Sequence, residues 1–175
     1  REDEFVDLVR FMVELGKEGK FKTSNQRFAR QWEVLPVNSP NPGTIHHYGA
    51  KMFTQEFNGY QWKPFYAMVG GELPFDEVPV ALNRRGDKYQ VMRTQVEVAK
   101  KGEHKVRISG NMKHLNLFLG DQEIDIPSEG GQTDLVIDFK KSGKQNLLMV
   151  VNGSSGKGHF SMEALSDDLQ VINTL

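Results

Sequence analysis

The chain has 175 residues, 38% hydrophobic and 26% charged, a composition that folds around a core rather than staying disordered. Its 22 basic and 23 acidic side chains leave a formal charge of -1, so no electrostatic excess is available to drive binding to nucleic acid or an anionic membrane. Cysteine is absent, which excludes disulfides, thiolate metal sites, cysteine nucleophiles and covalent haem attachment, and no apolar run approaches the roughly 18 residues of a membrane helix. Arg1 is not a natural start, and the chain reads as a processed product or an excised fragment.

In chain order, Phe5, Leu8, Val9, Met12 and Leu15 recur at spacings of three and four, which predicts an N-terminal α-helix with one apolar stripe. Glu2, Asp3 and Glu4 suit its first turn, and Gly16 and Gly19 supply stop signals. Residues 1–27 therefore read as helix plus polar connector, and residues 28–175 as a separate β-domain. Phe28–Leu35 is the first expected strand, with Trp32 as a core or helix-packing residue. Pro36–Gly43, with three prolines and two asparagines, is a loop. The stretch WKPFYAMVGGELPF predicts strand, Gly-Gly bend and irregular turn. From Tyr89 onward the pattern alternates with period 2: Tyr89–Val98, His104–Gly110, His114–Gly120, Thr133–Phe139, Gln145–Gly153 and His159–Leu165 are each of strand length. Short Gly-, Ser- and Asp-rich links separate them, which implies antiparallel pairing, because parallel crossovers need a dozen or more residues. The expected fold is mainly β, an antiparallel β-sandwich of jelly-roll type with one N-terminal α-helix.

Several motifs invite chemistry. VVNGSSGKGH places Gly-Lys after an apolar strand but lacks the spacing and the following helix of a phosphate loop, so it reads as a hairpin turn. His46 and His47 are adjacent and would face opposite sides of a strand. His104, His114 and His159 stand singly at strand starts and are expected to face solvent; no metal site is assigned. Asp121, Glu123 and Asp125 alternate, which reads as the solvated face of a strand opposite Ile124 and Ile126, with a calcium site completed by backbone carbonyls as the lesser alternative. No Gly-x-Ser-x-Gly elbow and no distinguished pair of carboxylates occurs, so no catalytic residue and no cofactor is assigned. The strongest signal is the aromatic stretch from Tyr48 to Phe75. Tyr60, Trp62 and Tyr66 are candidates for a carbohydrate platform, since flat apolar rings with polar rims stack on sugars; the competing reading is that they fill the core.

The order of features resembles the C-terminal region of large secreted bacterial proteins, best known from planctomycetes, in which a c-type cytochrome domain precedes a β-rich tail. EFVDLVRFMVELGKEGKF is similar to the last helix of such a domain, RQWEVL to the strand that follows, and HKVRISGNMKHLNLFLGDQEI and LVIDFKKSGKQNLLMVVN to the tail. The latter also resemble strands of galactose-binding-like jelly rolls. The haem-attachment motif is missing, so the resemblance implies no electron transfer by these residues. It implies a periplasmic or extracellular location and an upstream domain of the same polypeptide, or a protein partner, to work with.

The sequence thus reads as a non-catalytic accessory or interaction domain of a larger bacterial envelope protein. The alternative is a carbohydrate-binding module, with polysaccharide as partner; a third reading, a glycan-active enzyme, has no residues to name. Neither nucleic acid nor a membrane span is expected.

Overall fold

The computed structural model describes residues 27–35, 49–54, 60–82, 88–110, 114–127, 131–152 and 158–173. The expected N-terminal helix, the Pro36–Gly43 loop and the His46–His47 pair lie outside them. The described chain is mainly β, in two antiparallel sheets.

The larger sheet contains β1 (Gln31–Val34), β2 (Lys63–Tyr66), β4 (Val80–Leu82), β5 (Lys88–Val98), β7 (Leu115–Leu119), β8 (Gln122–Ile124), β10 (Gly143–Asn152) and β12 (Leu169–Val171). The smaller has β3 (Leu73–Pro74), β6 (Gly102–Gly110), β9 (Gln132–Phe139) and β11 (His159–Ala164), in the order β3-β11-β6-β9. β5 organises the larger sheet. One edge pairs with β10 from Tyr89 to Val98. The other edge is shared by three short strands in succession: β4 against Lys88–Gln90, β1 against Met92–Arg93, and β12 against Val96–Val98.

The strand expectations from Tyr89 onward are met to within a residue or two, but the links between strands are mostly not hairpins. The three-residue links after β5 and after β9 each carry the chain from one sheet to the other, and Gly102 (φ 134°) and Gly143 (φ 90°) begin the next strand in conformations that L side chains rarely adopt. Residues 153–157, the centre of the expected NGSSGKG turn, lie outside the described residues; the strands on either side of it, β10 and β11, belong to different sheets. A true two-residue hairpin joins β7 to β8 through Gly120–Asp121. Gly120, at φ 58°, takes the first central position, as a type II′ turn requires.

The first expected strand is also divided. Phe28 bridges Glu163 of β11, and Ala29 N–H donates to the Met162 carbonyl, so this part lies against the smaller sheet. After Arg30 the chain joins the larger sheet as β1. The reason lies in the side chains: Ala29 and Trp32 are both fully buried three residues apart, a spacing a continuous strand cannot bury on one face, and the Trp32 indole Nε1–H donates to the Ala29 carbonyl across the bend.

One core lies between the sheets. Met92, Val96, Leu117, Leu147 and Met149 from the larger sheet pack with Val106, Ile108, Ile137, Phe139, Phe160 and Met162 from the smaller. Trp32 meets Phe160 edge-on at 6.1 Å and Phe160 stacks on Phe75 at 6.3 Å, so Trp32 takes its expected core place. A second, smaller cluster lies on the outer face of the larger sheet, where Phe53 from a short 3-10 helix (Gly49–Thr54) covers Tyr89, Val91, Phe118, Leu148 and Val150. This explains the continuous burial of Leu147–Val151: both faces of that part of β10 are covered.

Candidate functional site

The outer face of the larger sheet is divided. Around Val91, Leu148 and Val150 it is apolar and covered by the second cluster. Beyond Arg93 it turns polar, because the outward positions of β1 and β5 carry Gln31, Glu33, Arg93 and Gln95. Register brings these together: Glu33 lies opposite Arg93, and on the other side of β1 Gln31 lies opposite Tyr66 and Glu33 opposite Pro64.

β1 and β12 both pair with β5 but leave a fork between them at Thr94–Gln95. Thr94 Oγ1–H donates to the Gln31 carbonyl at 3.0 Å on one side of the fork, and Ile172 N–H donates to the Gln95 carbonyl at 2.9 Å on the other. The Asn173 side chain holds the fork's far end. Its Oδ1 accepts from the N–H groups of Arg30 and Gln31, and its Nδ2 donates to the Phe28 carbonyl. The result is a groove of about 200 Å3 lined by Gln31, Glu33, Pro64, Arg93, Gln95 and Ile172, with the buried Trp32 and Thr94 at its base.

Arg93 is fixed from two sides. Its Nε–H donates to Glu33 Oε2 at 2.6 Å, and its guanidinium carbon sits 4.2 Å from the centre of the Trp62 ring. A cation over an indole face contributes about 0.5–1 kcal/mol where solvent reaches it and more when dry. Together the contacts set the guanidinium plane at the groove wall.

The three aromatic candidates separate into different roles. Tyr60 turns to the second cluster, tilted against Phe53 at 6.4 Å, and burial pushes its phenol pKa up to about 12. Trp62 is half-buried, meets Tyr60 edge-on at 6.2 Å and carries Arg93 on its ring, so that stacking position is already occupied. Tyr66 is 54% exposed. It shares the outward face of β2 with Pro64, because Phe65 between them packs into the core. None of the three lines the groove itself: Trp62 bears on it through Arg93, and Tyr66 lies beside it, opposite the lining residue Gln31. Sequence reasoning missed Gln31, Glu33, Arg93 and Gln95. Their outward parity was readable, but their adjacency depends on a pairing between segments 60 residues apart.

The other expected sites lie elsewhere. His104 is buried, not solvent-facing: its Nε2 lies 2.6 Å from the Lys100 carbonyl and its ring meets Phe139 edge-on. It shares parity with the inward Val106 and Ile108 and closes the corner after β5. His114 and His159 are exposed, as expected. Of the three alternating carboxylates only Glu123 lies within β8, where it accepts from Asn116 Nδ2 at 2.7 Å; Asp121 is in the turn and accepts from Thr54 Oγ1 at 3.3 Å, and Asp125 follows the strand. Ile124 and Ile126 pack against the core behind them. Among the described residues no group of three or more His, Asp or Glu could hold a metal ion, and no helix is long and apolar enough to cross a membrane. On the outer face of the smaller sheet Arg107 forks onto Asp134 at 2.7 and 3.1 Å; that hydrogen bond holds the Asp134 carboxyl below the usual carboxylate range and raises the guanidinium.

No protein-family model matches the chain, and no curated protein matches it. Among solved structures it is similar to the β-glucosidase from Kluyveromyces marxianus in complex with glucose, at 11% identity and a TM-score of 0.42, over 83% of this chain and 16% of that one. A selenomethionine-labelled form of the same enzyme gives 11% identity and a TM-score of 0.42, over 79% and 18%. The chain spans less than a fifth of the length of these enzymes.

Proposed function

We propose that the chain is a non-catalytic accessory domain of a larger bacterial envelope protein, a β-sandwich of jelly-roll type that works by binding at the outer-face groove. The sheet-switching links after β5 and β9 support the jelly-roll description, since each carries the chain round the core rather than back along one sheet. One observation carries the functional reading: the groove's charged groups are spent on each other. Glu33 is the one carboxylate among the lining residues, and Arg93 engages it. Glycoside hydrolysis needs two carboxylates across a cleft, and acyl transfer needs a nucleophile beside a base; the groove lining supplies neither. What remains is a wall of oriented donors and acceptors with an exposed aromatic ring beside it. An upstream domain of the same polypeptide would supply whatever chemistry the whole protein performs.

The test is turnover. The purified chain is incubated with a panel of chromogenic glycosides and esters, beside a Glu33→Gln variant checked for folding. No turnover by either protein is expected. Hydrolysis by the parent that is lost in Glu33→Gln would make Glu33 a catalytic acid and overturn the reading.

A further inference from the structure

We infer that the groove at the β1–β12 fork is a subsite for one ring of a neutral saccharide, with Tyr66 as the stacking surface and Arg93, Gln31 and Gln95 as its hydrogen-bonding wall. The inference rests on the groove being the domain's binding surface and names what it binds.

Four features select this class. The groove's volume of about 200 Å3 lies below the roughly 300–1,000 Å3 of clefts that enclose drug-sized ligands, so it suits a single ring rather than a cofactor. Its charge is balanced: Arg93 and Glu33 form an ion pair at 2.6 Å, which removes the net positive field that an anionic ligand would seek. Its polar groups match hydroxyls. Two glutamine amides each offer both donor and acceptor, and the guanidinium, held through Nε, directs further N–H groups from a fixed plane. Finally, it has an apolar side. Pro64 lines it and Tyr66, on the same face of β2 and opposite Gln31, leaves its ring exposed. A pyranose has the same division, with C–H groups on one face and hydroxyls round the rim. Trp62 then acts through Arg93, as the surface that holds the guanidinium, rather than as the sugar platform itself.

The experiment is a titration of the 15N-labelled chain, followed by amide shifts, with short oligosaccharides of glucose, mannose, galactose and xylose and with matching uronic-acid oligomers. At least one neutral series is expected to move the amides of residues 31–33 and 93–95 with a Kd of about 1 mM, as befits a single-ring subsite. The uronic acids bind no more tightly. Tyr66→Ala raises the Kd about fivefold, in line with the loss of one stacking ring, and Gln95→Ala also raises it. Both side chains are exposed, so the variants keep the parent's urea midpoint. Val136→Ser, an exposed position on the smaller sheet, leaves the Kd unchanged. Silence from every neutral series up to about 10 mM overturns the inference. So does binding that Tyr66→Ala leaves intact, and so does a preference for uronic acids. New reducing ends in the titrated sample would instead overturn the non-catalytic reading and leave the subsite standing.

Discussion

Gly110 closes β6 opposite Phe160 of β11, at φ 117°. A Cβ built there would stand 2.0 Å from the His159 carbonyl oxygen and 2.9 Å from its carbon, both backbone atoms. Gly143 offers an internal control: its φ of 90° is equally unsuited to alanine, but a Cβ there meets nothing within 4 Å. Gly143→Ala therefore carries the dihedral strain alone, about 1–2 kcal/mol. Gly110→Ala carries similar strain and must also push β11 away. That disturbs the hydrogen bond from Gly110 N–H to the Gly131 carbonyl and shifts Phe160, which is fully buried against Trp32 and Phe75. A lost hydrogen bond contributes about 1 kcal/mol and partial unpacking of a core phenylalanine about 1–2 kcal/mol. Gly110→Ala should thus lie about 2 kcal/mol below Gly143→Ala. At this chain length that corresponds to about 4–8 °C in Tm. Urea unfolding of parent and both variants, fitted with a common m-value, reads the difference directly. Equal midpoints for the two variants would refute the close approach of β6 and β11.

Three further outcomes follow from the same structure. Phe160→Ala should cost about 3–5 kcal/mol in urea unfolding, because its ring joins Trp32 and Phe75 at the centre of the core. Asn173→Ala should cost about 1–3 kcal/mol, since one amide serves Phe28, Arg30 and Gln31, and hydrogen exchange should rise at the Arg30 and Gln31 amides while the β6–β9 amides stay protected. Burial raises the Tyr60 phenol from its ordinary 10.0 to about 12, so the unfolded chain loses that proton first. Stability is then complete below pH 10 and falls as pH rises towards 12; urea midpoints across that range should show a drop that Tyr60→Phe makes shallower.

How far the fold could be read from sequence depended on what each pattern encodes. Period-2 alternation marks strands and their faces, and from Lys88 onward it located β5, β6, β7, β9, β10 and β11 closely. It does not name partners. The short links that read as hairpins are mostly corners, because a three-residue link such as residues 99–101 or 140–142 can reverse a chain within one sheet or pass it to the facing one. Parity would have corrected His104, which falls in step with Val106 and Ile108; position at a strand start was the weaker guide. The unbroken run Leu147–Val151 already signalled a strand covered on both faces. Near the groove, the aromatic residues Trp62 and Tyr66 announced themselves by type, whereas the lining residues Glu33 and Arg93 look like ordinary solvated charges until β1 and β5 are paired.

The three-part edge of β5 has a consequence for synthesis. Its partners come from residues 31–34, 80–82 and 169–171, so the sheet cannot be completed in the order in which it is translated. While β12 is still inside the ribosome, the hydrogen-bonding groups of Val96–Val98 on that side have no strand beside them, and β10, on the opposite side, arrives only slightly earlier. A nascent chain must therefore carry this part of β5 open from the emergence of Val98 until β10 and then β12 follow. Such a topology makes folding slow and places the period of greatest aggregation risk between the emergence of β5 and that of β12.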